Sequence, residues 1–325
     1  MKKYGVRVGS LLLCVALLCT GCGGAGDKDT ETTGTTTTTV PTTTTTLAPT
    51  TTQKAEAEGA LLVNCPDGKR VDHELLARLR GVCSPYKSEI SFYYKDPVSG
   101  YSIEYRADEI YQTASVIKAP YVKYLLSSGA DLNKTLKMTK KQGGSSHIDE
   151  KPLGTEFTVK ELMEYAIRYS DNTAYYMLNE EFGFEGFNDY AESLGIASNA
   201  ANKLTLVFPK PRFGYLSARD AGLYFEDIAR YIEKGSEKAK LLKTWLTSTT
   251  VDGMLADALG NTYEVAHKYG EQGSQAYHDA AIVYAPQPYV LTILSTLEPY
   301  AAESDKVFSD VAALIDAIQT QLHAG

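Results

Sequence analysis

Histidine is scarce and scattered in this chain: five residues, with no HExxH and no paired His/Cys spacing. Nothing in the sequence offers a preassembled metal site, so neither a metal nor another cofactor is expected. Positive charge is never concentrated either. Lys and Arg number 32 against 40 Asp and Glu, for a formal net charge of -8, and with no basic cluster a nucleic-acid partner is not expected. Long apolar runs are absent. Residues 11–18 form a leucine-rich core much shorter than the roughly 20 residues that span a bilayer. Cysteine is sparse and lopsided, with Cys14, Cys19 and Cys22 near the start and only Cys65 and Cys83 beyond.

What is present begins with an address. Lys2, Lys3 and Arg7 precede the apolar core, the layout of an export signal. The core runs into Cys19-Thr20-Gly21-Cys22, which resembles a bacterial lipobox, with small residues ahead of a cysteine that is lipidated and becomes the new N-terminus. Residues 1–21 are then a signal peptide and Cys22 carries the lipid, although Cys19 stands where such signals usually have Leu. A plain secretory signal cut nearby is the alternative. With those three cysteines used, Cys65 and Cys83 remain in an oxidising compartment where they are expected to pair, the alternative being two free thiols. Residues 22–58 are Gly, Asp and long threonine runs with Pro41 and Pro49; lacking apolar periodicity, they cannot bury enough surface to fold. They form a tether that reaches at most on the order of 130 Å. The protein is therefore expected at the outer face of a bacterial cell membrane, held through its lipid.

Residues 59–325 are long enough for one enzyme-sized domain. Residues 71–82 have apolar positions at helical spacing, and Ile90, Phe92 and Tyr94 then alternate as in a strand. Turn residues follow at 96–100, and Tyr101, Ile103 and Tyr105 alternate again, which makes a hairpin. Helical patterns come next, at 114–126, 158–169 with Thr158 and Glu161 as a capping box, 173–178, 187–194 and 218–233. Strand character returns at 263–268, 277–284 and 289–294, before an amphipathic helix on Val307, Val311, Leu314, Ile318 and Leu322. This order predicts an α+β fold: one antiparallel five-stranded sheet flanked by helices, its terminal halves meeting in space, with an all-helical subdomain inserted at about residues 119–255. A cleft between sheet and helical block is the natural place for a site.

Ser115-Val116-Ile117-Lys118 opens that block. A lysine three residues after a serine on a helix lies one turn on and on the same face. If burial or another cation keeps the amine neutral, it can take the serine's proton and activate the hydroxyl. The spacing alone is weak, since about one match is expected by chance in such a chain, and Ser84-Pro85-Tyr86-Lys87 is one. There Pro85 argues for a turn with no shared face. Ser170-Asp171-Asn172 follows the capped helix, in a turn before the next helical run. Its plain reading is a helix cap, which is compatible with Asp171 stiffening the turn while Ser170 and Asn172 face the cleft. Lys268-Tyr269-Gly270 ends a strand pattern; an ammonium there can hold a carboxylate and depress the pKa of Lys118 by repulsion, or be merely solvated. His147, in the polar stretch 143–149, is a candidate for the cleft rim, while His73 and His323 read as surface residues.

Together and in this order, the three motifs resemble the signatures of class A β-lactamases and penicillin-binding proteins, a likeness that covers roughly residues 71–322. The resemblance implies that family's two-part fold, with Ser115 as acylated nucleophile, Lys118 as its proton acceptor and Ser170 as proton relay to the leaving nitrogen. Asn172 would bond a substrate amide, Lys268 would hold the substrate carboxylate beside Gly270, and the backbone N–H groups of Ser115 and Glu271 would form the oxyanion hole. Two departures stand out. Tyr269 replaces the usual Thr or Ser, and no Asp or Glu occurs between Glu192 and Asp220, where class A β-lactamases carry a water-activating glutamate; the matching stretch is residues 202–211. The expectation is a monomeric serine hydrolase or acyltransferase that acylates on β-lactams or peptidoglycan-like amides and esters and deacylates slowly. An efficient class A β-lactamase and a catalytically idle surface binding domain are the alternatives.

Overall fold

The two halves of the chain meet on one pair of strands. In a computed structural model, which describes residues 61–66, 70–144, 146–196, 214–250 and 254–324, β2 (Ile90–Lys95) lies antiparallel to β10 (Tyr289–Ser295), from Ile90 opposite Ser295 to Lys95 opposite Val290. The described residues belong to the unit Gln53–Gly325. The signal peptide, Cys22 and the tether expected up to residue 58 lie outside them, as does the stretch 202–211.

The β2–β10 pair is the middle of a six-stranded sheet ordered β1-β3-β2-β10-β9-β8, with β1 Leu61–Asn64, β3 Ser102–Tyr105, β8 Val265–Glu271 and β9 Tyr277–Val283. All its pairings are antiparallel. The sixth strand, beyond the five expected, is β1, a four-residue edge strand exposed at three positions; it buries too little to show an alternating pattern. Both faces of the sheet are covered, so its central strands are buried at nearly every position rather than at every second one.

One core lies between the sheet and two helices, His73–Cys83 and Ala302–His323; Leu79, Phe92, Tyr94, Leu291, Val311 and Ile318 meet there. The five apolar positions predicted for the last helix are all buried. The second core joins the other face, through Ala266, Ala280 and Val290, to the helical block. Within that block the helix Val159–Arg168 starts with the expected capping box of Thr158 and Glu161, and buries Val159, Leu162, Met163, Ala166 and Ile167 on one stripe. The block also holds two short ribbons, β4 with β7 (Ile110–Gln112, Tyr215–Ser217) and β5 with β6 (Thr135–Lys137, Glu156–Thr158). Three-residue strands leave no period to read.

The expected disulfide does not form: no bridge joins Cys65 and Cys83. Cys65 lies near Tyr101, whereas Cys83 lies near Tyr105 and is fully buried. Burial pushes the Cys83 thiol up to about 12, the behaviour of an inert core cysteine. His323 is not a free surface residue either; its Nε2 lies 2.9 Å from the buried Asp96 carboxylate.

Candidate active site

Ser115 and Lys118 sit where a short 3₁₀ turn, Ala114–Ile117, passes into the helix Lys118–Ser127. Pro120 falls in the first turn of that helix, where its missing N–H leaves no bond unmade. Ala114, just before the serine, has φ +43°, a left-handed conformation that costs a non-glycine residue of order 1–3 kcal/mol. The turn is held by the Thr113 N–H donating to the Gly214 carbonyl at 3.1 Å and by the close approach of β8. Ser115 is left half-buried, while Lys118 is fully buried.

The second motif is a strained turn made rigid by its aspartate. Ser170 has φ +52°, and Asp171 caps the helix Asn172–Phe182. One Asp171 oxygen accepts the Ala174 N–H at 2.8 Å and the other the Ile148 N–H at 3.0 Å. The aspartate thereby ties the turn to the segment that carries His147, while its neighbours face the lysines. Lys118 Nζ donates to the Ser170 carbonyl and to Asn172 Oδ1 (2.8 Å), and lies 3.4 Å from Ser170 Oγ. From β8, Lys268 Nζ reaches the same hydroxyl at 3.0 Å. Two buried amines thus converge on Ser170.

Burial disfavours both ammonium forms. It pulls Lys118 down to about 7, against an upward pull from Asp171. Burial and the charge of Lys118 hold Lys268 well below its ordinary value, opposed by Asp279. A neutral Lys118 has two N–H groups and one lone pair, and that lone pair can accept a proton. That is the state a serine-activating base requires.

Gly270 is where strand and nucleophile turn touch. A Cβ at this position would come within 3.1 Å of Ala114 Cβ, Val116 Cγ2 and the Ser115 backbone nitrogen. The bare glycine lets the edge strand β8 close on the 3₁₀ turn that carries Ser115. Gly270→Val is expected to prise them apart. Overpacking costs about 1–3 kcal/mol of stability, and loss of an aligned oxyanion donor slows acylation by about 10²- to 10³-fold; thermal melts and labelling kinetics on the same preparation test both.

The chain therefore brings Ser115, Lys118, Ser170, Asn172, Lys268, Gly270 and Glu271 to one place. Comparison with known proteins places this arrangement in a family. Residues 74–319 match the profile of the β-lactamase enzyme family. The chain belongs to it. It is 27% identical over 242 residues to a β-lactamase of Bacillus licheniformis, covering 71% of this chain and 79% of that one. It is 29% identical over 243 residues to β-lactamase ROB-1 of Haemophilus influenzae, covering 70% and 78%. Among solved structures it resembles a β-lactamase from Streptosporangium roseum (TM-score 0.64, 26% identity, covering 77% of this chain and 100% of that one). It also resembles a variant of PBP-A (TM-score 0.66, 21% identity, covering 77% and 98%). The class A fold and a serine hydrolase of the β-lactamase type are thereby shown.

Within this β-lactamase frame, the structure separates the motif from its decoy. Ser84 and Lys87 are exposed on a short 3₁₀ segment in which Lys87 leaves helical geometry. His147 is exposed, with its ring 4.5 Å from that of Tyr169 beside the Ser170 turn. Other groups near the site carry no motif of their own and are not among the expected residues. On the far face of β8, His267 Nδ1 lies 3.0 Å from both Asp279 oxygens and Nε2 lies 2.5 Å from Thr249 Oγ1. Asp279 also accepts the Leu255 N–H, so this cluster braces the strand that carries Lys268. At the mouth, the Tyr300 hydroxyl donates to Glu271 Oε2 at 2.6 Å.

Proposed function

We propose that this member of the β-lactamase family is a cell-surface acyl-serine enzyme that forms its covalent intermediate readily and releases it slowly. The observation that carries the reading is Lys118: a fully buried amine, held to about 7, that donates to the Ser170 carbonyl and to Asn172. As Ser115 Oγ attacks a carbonyl carbon, the new C–O bond forms and the serine proton passes to Lys118. The tetrahedral oxyanion is met by the N–H groups of Ser115 and Glu271. When the bond to the leaving nitrogen or oxygen breaks, the proton is returned to that atom through the Ser170 hydroxyl.

The second half of a hydrolysis needs a base for water. The segment between Glu192 and Asp220 contains no carboxylate, and loss of one positioned general base costs about 10²- to 10⁴-fold. A long-lived acyl-serine follows, and the PBP-A variant of similar fold is described as an acyl-enzyme complex with penicillin G. The lipobox-like Cys22 and the threonine tether support anchoring at the outer face of the membrane, where amide substrates of the cell wall lie within reach.

The test is a burst experiment. With p-nitrophenyl acetate, about one equivalent of nitrophenol should appear at once and further release should be slow. Mass spectrometry should find the adduct on Ser115, and Ser115→Ala should show neither. Rapid multiple turnover of a chromogenic cephalosporin would instead identify an efficient β-lactamase, and absence of any Ser115 adduct would end the acyl-serine reading.

A further inference from the structure

Lys268 is placed where a positive charge beside the nucleophile would receive a substrate carboxylate, yet its surroundings are already filled. β8 is an edge strand. Alternation puts Ala266 in the core under the cleft and Val265 and Tyr269 in the core on the far face. Even so, the Tyr269 side chain turns back round the edge. Its ring centroid lies 3.8 Å from Lys268 Nζ, and only 7% of the residue is exposed. Lys268 Nζ also donates to Ser170 Oγ and to the Tyr269 carbonyl, each at 3.0 Å. The negative face of an aromatic ring is a recognised partner for an ammonium, so Lys268 is satisfied with no outside anion. Beside it, Glu271 is held by Tyr300 at 2.6 Å and opposes any incoming carboxylate by like charge.

We propose that Tyr269 stands in for the substrate anion, so that the enzyme selects acyl donors that are uncharged at this position, neutral esters and amides, over those that carry a carboxylate there. This rests on the acyl-serine reading above and narrows its substrate class. An anionic donor would have to displace a nine-tenths buried ring and approach Glu271, whereas a neutral one leaves both in place. Such selection by exclusion is an ordinary route to specificity.

The experiment uses benzylpenicillin and its methyl ester, which open by the same lactam C–N cleavage, with the serine proton delivered to the ring nitrogen, and differ only in the carboxylate. Acylation of Ser115 is followed by intact-protein mass spectrometry, and the acid-to-ester rate ratio is the readout. Wild type should acylate no faster with the acid than with the ester. Tyr269→Thr should raise the ratio by about 10- to 100-fold, the worth of hydrogen bonds to a charged group. Tyr269→Phe, which keeps the ring, should stay close to wild type. A wild-type preference for the acid of about tenfold or more overturns the proposal even if Tyr269→Thr does not fold, as does an unchanged ratio in a folded Tyr269→Thr. In either of those cases the acyl-serine reading survives; a Ser115 that reacts with neither compound nor with p-nitrophenyl acetate removes both.

Discussion

Lys118→Met should lower the rate of Ser115 acylation by about 10²- to 10⁴-fold. Methionine fills a similar volume but has no lone pair to take the serine proton. The same residue fixes the pH profile. With its proton lost at about 7, the wild-type rate should fall about tenfold per pH unit below that value and level off above it. Stability carries a second signature. An ordinary lysine holds its proton up to 10.5, whereas the folded protein releases it at about 7. Between those values the unfolded chain binds the extra proton, so stability rises with pH across that window. Lys268 adds a rise of the same sign, so the informative quantity is the wild-type rise minus that of Lys118→Met. Chemical denaturation at both ends of the window measures it. An acylation rate that stays flat well below pH 7 would remove Lys118 from the role of base.

Much of this site is legible in the amino-acid sequence because its parts are local. Ser115 and Lys118 share a turn, Ser170-Asp171-Asn172 is contiguous, and the Asp96 to Gly100 turn that closes the β2–β3 hairpin is built from its own side chain, with Asp96 accepting from Val98 and Ser99. The features that are not legible depend on where an element lies in the sheet. Alternation predicts that Tyr269 points away from Lys268, and along the strand that is true. Only the edge position of β8 lets the ring return, and nothing in residues 265–271 says that this strand is an edge. The same holds for β1, whose exposed residues pair with β3 without a period of their own. The helix Glu237–Leu246 is an addition to the expected elements, although its signals are local, with Ser236 as its cap and Ala239, Leu242 and Leu246 buried at helical spacing. The sixth strand extends the predicted α+β plan, whereas the ribbons correct one part of it: the inserted block, expected to be all-helical, carries the short strands β5, β6 and β7 among its helices. The cysteines correct it: compartment and count favour a bridge, but neither says whether the fold brings the two thiols together, and no bridge joins Cys65 and Cys83.

The largest effect on stability is expected from a residue that touches no substrate. Asp171→Ala removes a helix cap, worth about 0.5–2 kcal/mol, and leaves the buried Ile148 N–H without its acceptor, at about 1–3 kcal/mol. A combined loss of about 2–4 kcal/mol would lower Tm by roughly 5–15 °C in a domain of this size. Activity should fall with it. The positive φ of Ser170 is held by the Asp171 N–H on the Tyr165 carbonyl and by the two side-chain bonds of Asp171; once these loosen, Ser170 can relax away from both lysines. A purely structural role would stop there, but Asp171 also supports the protonated form of Lys118. Removing its charge should therefore move the midpoint of the acylation profile below about 7, by the linkage that makes a nearby anion raise an amine. Asp171→Asn separates the two effects. Its side-chain oxygen can still cap the helix through Ala174, so the loss in Tm should be smaller than in Asp171→Ala, while the missing charge should lower the midpoint in both variants alike. A midpoint that stays at the wild-type value in Asp171→Asn would show that Lys118 is governed by burial alone, and that Asp171 serves only to hold the turn.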